Sequence, residues 1–278
     1  MKEYIKSEET TINDLIRIAK SREIESRKYP LVEGVGPQGV GKSTLSERLA
    51  EDLDGTYIEE DFEGLQEKLG RLNELKKKIL LGEETEGMKK ATDKERERAA
   101  DLAFELEKEF LIRKVRQKPR VEEALKTGPV FWDASIWTDL IYAMTYRQLG
   151  IMREADYQSY LSIFSAALSE LPASDLILGL QVSGKVLAER AENRWKENKE
   201  RQFERTVPDE FYQAMANQGM LLIDKLDQAD LPVEIIDTDK LDFTKTGLDG
   251  KHTVEKIQGT LIGLGFMGDI EKDVDYIP

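Results

Sequence analysis

The sequence contains no cysteine and only one histidine, His252, among its 278 residues. The absence of cysteine excludes disulfides and thiolate metal sites, and a lone histidine argues against histidine metal sites and Ser-His triads. We expect His252 to be a surface residue on a helix. A chain without cysteine is typical of the cytoplasm, which is therefore the expected compartment.

Long apolar runs are also absent. No segment approaches the roughly 20 apolar residues of a membrane span, and the N-terminal MKEYIKSEETT lacks the apolar core of a signal peptide. The 41 basic residues are outnumbered by 55 acidic ones, so the net charge is −14. We therefore expect neither nucleic acid nor an anionic membrane as a partner. An anionic ligand would need a local cationic cluster or a metal cation.

Five short apolar runs alternate with segments of helical periodicity. These runs are 31–35, 56–59, 129–133, 175–182 and 233–238. Strands that alternate with helices predict a parallel α/β sheet with right-handed crossovers. Further helices are predicted over 11–26 and 253–264. The charged segment 76–101 has little periodicity, and we expect a mobile, partly helical insertion between helices.

Residues 36–43, GPQGVGKS, fit the P-loop pattern G-x-x-x-x-G-K-[ST] and lie between the first predicted strand and a predicted helix. Glycines let successive backbone N–H groups point at phosphate oxygens, and the helix N-terminus adds partial positive charge. In this pattern the lysine reaches the β- and γ-phosphates and the serine binds Mg²⁺. The predicted nucleotide-binding residues are Gly36, Gly39, Val40, Gly41, Lys42, Ser43 and Thr44. A P-loop predicts a nucleoside triphosphate without identifying the reaction.

Acidic residues follow two other predicted strands. Glu59 and Glu60 follow the second strand and Asp133 ends the third, at the sheet edge where open α/β proteins bind ligands. A carboxylate there can accept the proton of a hydroxyl that attacks the γ-phosphate, and Asp133 can direct Mg²⁺. The alternatives are two solvated acids that open a helix and an Asp133 that caps one.

An arginine stripe is predicted on the helix after the fourth strand. Four arginines of 189–205 fall within roughly 60° of a continuous helix that turns about 100° per residue. They are Arg190, Arg194, Arg201 and Arg205. Such a stripe suits bidentate contact with phosphate oxygens, as in a lid over the transferred group. The alternative is a solvated helix with pairs such as Glu197–Arg201.

These motifs resemble those of the deoxynucleoside kinase family over about residues 29–260. GPQGVGKST resembles its P-loop, IEED its acidic segment, DASIWTD its [ED]-R-S segment, AERAENRWK its arginine lid and VEIIDTDKLDF its last-strand segment. The resemblance implies a P-loop NTPase-type three-layer α/β fold, with a five-stranded parallel sheet flanked by helices and an arginine-bearing helical lid. It places this domain at 29–262, between an N-terminal helical extension (1–28) and a C-terminal tail (263–278). The family habit suggests a homodimer.

The implied function is Mg²⁺- and ATP-dependent phosphorylation of the 5′-hydroxyl of a (deoxy)nucleoside. Glu60 is favoured over Glu59 as the base, and Asp133 would lie near the metal. Arg190 and Arg194 would neutralise the transition state, and the loop that holds Asp239 would border the adenine of ATP. The alternatives are a nucleoside monophosphate kinase such as thymidylate kinase and a non-catalytic nucleotide-binding subunit with the same fold.

Two positions depart from the family pattern on the acceptor side. The arginine expected after the strand-end acid is Ala134, and the glutamine that pairs with the nucleobase, in the helix 104–117, is Glu107. An ionised Glu107 offers only acceptors, which suits the two adjacent donors of guanine. We therefore expect a guanine or hypoxanthine nucleoside as substrate. The alternative is a Glu107 that points to solvent or pairs with Arg113.

Overall fold

A computed structural model describes residues 2–22, 27–81, 89–133, 135–197, 207–241, 243 and 248–266. Within these ranges the helices are α1 Lys2–Ser21, α2 Lys42–Asp52, α3 Gln66–Leu81, α4 Asp93–Ala124, α5 Ile136–Gln148, α6 Glu154–Glu170, α7 Gly184–Glu197, α8 Asp209–Gln228 and α9 Leu248–Gly263. The strands are β1 Leu31–Val35, β2 Thr56–Ile58, β3 Val130–Trp132, β4 Leu176–Gln181 and β5 Val233–Asp237. No helix of the described ranges is both long and apolar enough to cross a membrane.

The five strands form one parallel sheet in the order β2-β3-β1-β4-β5. β1 lies at the centre, where Val32 is in register with Phe131 of β3 and Leu176 of β4. Every residue of β1 is buried, as expected for a parallel strand covered on both faces. The predicted three-layer α/β fold is confirmed. β1 therefore has β3 on one side and β4 on the other, and its carboxyl end leads into residues 36–43.

The helix α5 carries the chain from the sheet edge into the core. Eleven of its residues are buried, and it packs against α4, α6, α8 and β1. A helix that is apolar on nearly all sides belongs in a protein interior. Because α5 begins three residues after Asp133, this burial fixes the position of that acid and of Asp139 one turn into the helix.

The segment 76–101 is more helical than the sequence predicts. Residues 76–81 complete α3 and 93–101 begin α4, while 82–88 lie outside the described residues. A capping box starts α4: the Thr92 hydroxyl accepts from the Glu95 N–H, and the Glu95 carboxylate accepts from the Thr92 N–H. Its buried stripe is built from alanines such as Ala99 and Ala103, which give a weak hydrophobic signal.

The predicted N-terminal helix is confirmed, although α1 spans Lys2–Ser21 and residues 23–26 lie outside the description. Its buried residues follow the predicted spacing: Ile12, Leu15, Ile16 and Ala19. The helix packs against α6. The guanidinium of Arg22 donates to carbonyls at the end of α6, including that of Leu168 at 3.1 Å. The apolar face of α1 and the hydrogen bonds from Arg22 to the end of α6 thus hold this helix against the core.

Candidate active site

The loop between β1 and α2 has the backbone of a phosphate cradle. Gly39 and Gly41 have φ values of 89° and 109°, in the region that favours glycine. A Cβ at Gly39 would collide with the guanidinium of Arg194, and one at Gly41 would lie 2.9 Å from the ring of Phe243. Gly41, the second fixed glycine of the motif, is therefore required by its conformation and by its contact with Phe243, whereas at Gly39 only the conformation requires glycine, because the Arg194 guanidinium can move.

Lys42, the first residue of α2, is buried beneath this loop. Its ammonium donates to the carbonyls of Gly36 at 2.9 Å and Pro37 at 3.1 Å. Burial lowers the pKa of Lys42, while the nearby carboxylates of Asp133 and Glu60 act in the opposite direction. A desolvated ammonium at the start of a helix is well placed to bind phosphate oxygens.

Asp133 lies directly beside the P-loop serine. Its Oδ2 accepts from the Ser43 hydroxyl at 2.5 Å and from the Tyr57 hydroxyl at 3.2 Å. Its backbone N–H donates to Ile58, which extends the pairing of β3 with β2. The N-cap of α5 is Ser135, whose hydroxyl accepts from the backbone of Trp137. Asp133 is therefore placed as a strand-end acid, and the capping role belongs to Ser135.

The oxygen atoms around Asp133 fit a magnesium ion. The carboxylate is 5% exposed, and its Oδ1 is buried without a hydrogen-bond partner in the described part of the chain. Together with the Ser43 hydroxyl it offers hard oxygen ligands. The described ranges hold no cluster of three His, Cys, Asp or Glu suited to a metal. Mg²⁺ commonly takes one or two protein ligands and completes its shell with phosphate oxygens and water.

The two glutamates after β2 have different surroundings. Glu60 accepts from the ammonium of Lys114 at 3.1 Å, and that ammonium also donates to Asp139 at 2.9 Å. The side chain of Glu59 is exposed, and its backbone carbonyl accepts from Gln117 at 3.0 Å. Only Glu60 of this pair is therefore held by a buried cation in the described structure.

Lys114 and Asp139 form a buried ion pair. Their side chains are 4% and 3% exposed. Burial lowers the pKa of Lys114, but the carboxylates of Asp139 and Glu60 outweigh it, so the pKa lies above its ordinary value. Burial also raises the pKa of Asp139, against the effect of Lys114. The ion pair therefore fixes the position of the Lys114 ammonium next to Glu60.

Glu107 and Lys76 lie deeper, where α3 and α4 pack together. Both are buried. Burial raises the pKa of Glu107 well above its ordinary value and lowers the pKa of Lys76 to about 7. The Lys76 ammonium donates to the Tyr146 hydroxyl at 3.4 Å and lies 4.0 Å from the centre of the Phe211 ring. Glu107 neither reaches solvent nor pairs with Arg113, which instead binds Asp61 and Glu109.

A single cavity of about 730 Å³ joins these groups. Lys42, Ser43 and Asp133 line the part next to the P-loop, which we name the donor end after the phosphate donor predicted to bind there. Glu107 and Tyr146 line another part, which we name the acceptor end. The candidate base Glu60 lines the same cavity, as do Glu59 and Thr44. The volume lies within the range of about 300–1,000 Å³ that is usual for small-molecule sites.

The described arginines of the predicted lid also reach this cavity. The guanidinium of Arg194 packs against Gly39. Arg190 donates to the carbonyls of Val40, at 3.2 Å, and of Thr238. Arg190 therefore ties α7 to the P-loop and to the loop after β5. Arg201 and Arg205 lie outside the described residues.

A model of the deoxynucleoside kinase family matches residues 32–262. The chain belongs to the deoxynucleoside kinase family. This membership makes it a phosphotransferase of the nucleoside kinase type. In the comparison with curated protein sequences, none matches the chain.

Solved kinase structures share the fold of this deoxynucleoside kinase. A deoxyadenosine kinase from M. mycoides with bound dATP is 18% identical, with a TM-score of 0.59 over 84% of this chain and 100% of that one. The M. mycoides enzyme with bound dCTP gives 18% identity and a TM-score of 0.59, over 84% and 99% of the two chains. Thymidylate kinase from Candida albicans is 17% identical, with a TM-score of 0.52 over 85% and 93%.

Asp239, which is predicted to lie near the nucleotide, makes a hydrogen bond within the chain, and its contact with ATP stays a prediction. The carboxylate of Asp239 accepts from the backbone N–H of Ser183 at 2.6 Å, just before α7. Asp239 does not contribute to the described cavity lining, whereas Leu241 and Phe243 of the same loop do. The loop after β5 therefore reaches the cavity through its apolar residues, and Asp239 fixes the start of the arginine-bearing helix.

The sequence interpretation missed Lys114 and Lys76 of the kinase. Lys114 lies seven residues after Glu107, so both project from one side of α4, among buried residues such as Leu111. Lys76 likewise lies beside the buried Leu75 on α3. Charged residues at core positions of a helix were the available signal. Because both segments contain many other charged residues, these two lysines did not stand out in the sequence.

Proposed function

We propose that the protein transfers the γ-phosphoryl group of ATP, with Mg²⁺, to the 5′-hydroxyl of a (deoxy)nucleoside. The observation that carries this proposal is the shared cavity, in which the P-loop, Asp133 and Glu60 meet an enclosed acceptor end. Membership of the deoxynucleoside kinase family supports the same reaction.

The donor phosphates would be bound by the backbone N–H groups of the P-loop and by Lys42. The Lys42 ammonium would exchange the carbonyls of Gly36 and Pro37 for phosphate oxygens. Ser43 and Asp133 would hold the metal. When bound, Mg²⁺ offsets negative charge on the phosphate oxygens. Arg194, packed against Gly39, lies where it can add positive charge as the phosphoryl group moves.

Glu60 would act as the general base. One of its oxygens accepts from Lys114, which holds the side chain in place. The other oxygen can accept the proton of the attacking 5′-hydroxyl. In this scheme Lys114 is a positioning residue, and Asp139 in turn orients Lys114.

The acceptor end favours a neutral nucleoside over a nucleoside monophosphate. Glu60, Asp139 and Glu107 bring carboxyl groups to this region. The Lys114 ammonium is shared by two of those carboxylates. The phosphate of a nucleoside monophosphate would lie beside these carboxylates, and the Lys114 ammonium already pairs with two of them. This surrounding is unfavourable for a dianion.

Transfer assays with γ-labelled ATP would test the proposal. We expect label on nucleosides and none on monophosphates, with activity lost in Lys42→Ala. Label on monophosphates alone would favour a thymidylate kinase-like reaction. Binding of ATP without transfer to any acceptor would contradict the proposal and favour a non-catalytic nucleotide-binding protein.

A further inference from the structure

Tyr57 lies beside Asp133 because of the register of the sheet. Tyr57 is the middle residue of β2 and is in register with Phe131 of β3. The backbone N–H of Asp133 continues the pairing of β3 with β2. Side chains alternate between the two faces of a sheet, so Tyr57, Phe131 and Asp133 share one face. Asp133 is the diagonal neighbour of Tyr57 on that face, within reach of a long side chain.

Two hydroxyls hold one oxygen of the Asp133 carboxylate. Oδ2 accepts from Ser43 at 2.5 Å and from Tyr57 at 3.2 Å. Oδ1 is buried and accepts no hydrogen bond from the part of the chain that the structure describes. Two donors on one oxygen fix the orientation of a carboxylate, and the other oxygen keeps its lone pairs for a cation or for a water bound to it.

These two donors are uncharged, and in this respect Asp133 differs from Glu60. The Glu60 carboxylate accepts from the ammonium of Lys114 at 3.1 Å, and a cation in contact offsets part of the negative charge. A tyrosine hydroxyl carries no charge at neutral pH. It therefore fixes the geometry of Asp133 without offsetting the charge that attracts Mg²⁺.

We propose that Tyr57 is a positioning residue, whose hydroxyl holds the Asp133 carboxylate in the orientation that binds Mg²⁺ or a water of its shell. The inference rests on the proposed function, in which Asp133 and Ser43 hold the metal. Loss of a group that orients a metal ligand commonly lowers metal affinity by about 10–100-fold. The Tyr57 bond is longer than the Ser43 bond, so we expect an effect at the low end of that range.

Calorimetric binding of ATP to the full chain, with saturating Mg²⁺ and again with a chelator and no metal, would test the proposal. The ratio of the two affinities measures how strongly the binding of metal and nucleotide is coupled. In Tyr57→Phe this ratio should fall about tenfold, because the ring stays and the hydroxyl is lost. The affinity for metal-free ATP should not change, since Lys42 and the P-loop are intact. Equal falls in both affinities would indicate a general disturbance of the site and would overturn the proposal.

Tyr29→Phe is the matched control. Tyr29 is half-buried just before β1, at the opposite edge of the sheet from the P-loop, and its ring lies 4.8 Å from the ammonium of Lys28. This variant loses the same hydroxyl group and should keep the wild-type ratio. A fall in Tyr29→Phe as large as in Tyr57→Phe would overturn the assignment to Tyr57.

The Asp133→Asn background shows whether Tyr57 acts through Asp133. In that background Tyr57→Phe should lower the ratio no further, because the charge that the hydroxyl orients is already gone. A tenfold fall in both backgrounds would mean that Tyr57 affects the metal by another route, and the positioning role would be wrong.

The failure of this inference can be separated from the failure of the proposed function. If ATP does not bind with or without Mg²⁺, the proposed function is wrong. If wild type binds ATP equally well in both conditions, the metal role of Asp133 is wrong and the inference falls with it. If Mg²⁺ strengthens binding to wild type and to Tyr57→Phe by the same factor, only the role of Tyr57 is wrong.

Discussion

The two ends of the cavity are built in different ways. The donor end is a continuous loop between β1 and α2, whose main chain and left-handed glycines form the phosphate cradle. The acceptor end is assembled from side chains of α3, α4 and α5, including Leu69, Glu107 and Asp139. A main-chain cradle tolerates few sequences, whereas a pocket of side chains can change one residue at a time. Both departures from the family pattern, Ala134 and Glu107, concern the acceptor side.

The ends also differ in charge. The donor end presents the cations Lys42 and Arg194 to a polyanionic ligand. The acceptor end buries carboxyl groups around a lysine that they share. Binding energy at the donor end should therefore be chiefly electrostatic.

Loss of the donor-end cation should have the largest effect. In Lys42→Ala we expect phosphoryl transfer to fall by about 10²–10³-fold or more, because the variant loses the ammonium that lies beneath the loop. Initial rates with saturating nucleoside would measure this. Lys185→Ala, at an exposed lysine on α7, is the matched control and should behave as wild type. Near-normal turnover of Lys42→Ala would remove the P-loop from the mechanism.

Loss of the acceptor-end cation should affect folding as well as rate. In Lys114→Met, Asp139 would remain buried without its partner, which costs about 3–5 kcal/mol of stability. The loss should be smaller at acidic pH, because the folded protein can then protonate Asp139, whose pKa burial has already raised. Chemical denaturation at two pH values would measure both effects.

The double variant Lys114→Met with Asp139→Asn isolates the cause. It should recover part of the stability, since the buried carboxylate of Asp139 is gone and only the partly exposed Glu60 has lost its cation. It should not recover activity, since Glu60 still lacks its positioning residue. A double variant no more stable than Lys114→Met would show that the ion pair is not the source of the loss.

The contrast between the ends explains what the sequence could predict. The five strands, the P-loop and Asp133 follow from contiguous patterns, in which strand, loop and helix succeed one another within a few residues. The buried bond between Lys76 and Tyr146 joins positions 70 residues apart, and it depends on how α3 packs near α5. No local pattern carries that information.

Arg190 illustrates the same limit. Its place on the site side of α7 follows from helical periodicity, but its bonds to the carbonyls of Val40 and Thr238 do not. Those bonds depend on where the loop after β5 lies relative to α7, and tertiary packing determines that position. The neutralising role predicted for Arg190 remains a prediction.

Asp133→Asn tests whether the acid at the end of β3 binds the metal. We expect activity to fall by about 10–100-fold and the Mg²⁺ concentration for half-maximal rate to rise, because the amide keeps the shape and loses the charge. Ser135→Ala is the control: it removes the N-cap of α5 and the hydrogen bond that the hydroxyl donates to Glu33, and it should lower stability without changing the Mg²⁺ dependence. An unchanged Mg²⁺ dependence in Asp133→Asn would argue against metal binding.

The smallest expected effect is a gain in stability at the acceptor end. The pKa of Lys76 is lowered to about 7 by burial, so its ammonium destabilises the folded state wherever the unfolded chain holds the proton. Lys76→Met keeps the apolar stem, removes that cost and gives up the contact with Phe211. We expect a net gain of about 1 kcal/mol near neutral pH, which is about 2–4 °C in Tm for a chain of this size.

The pH dependence gives this last prediction its sign. The unfolded lysine keeps its proton up to a pKa of about 10.4, so between about pH 7 and that value the unfolded wild type binds more protons and wild-type stability rises with pH. The advantage of Lys76→Met should therefore be largest at or below pH 7 and should shrink at alkaline pH. Lys77→Met, at the half-buried neighbour on the same helix, is the matched control for the Lys-to-Met substitution. A variant less stable than wild type at every pH would mean that the contacts of Lys76 with Tyr146 and Phe211 outweigh the cost of burying its charge.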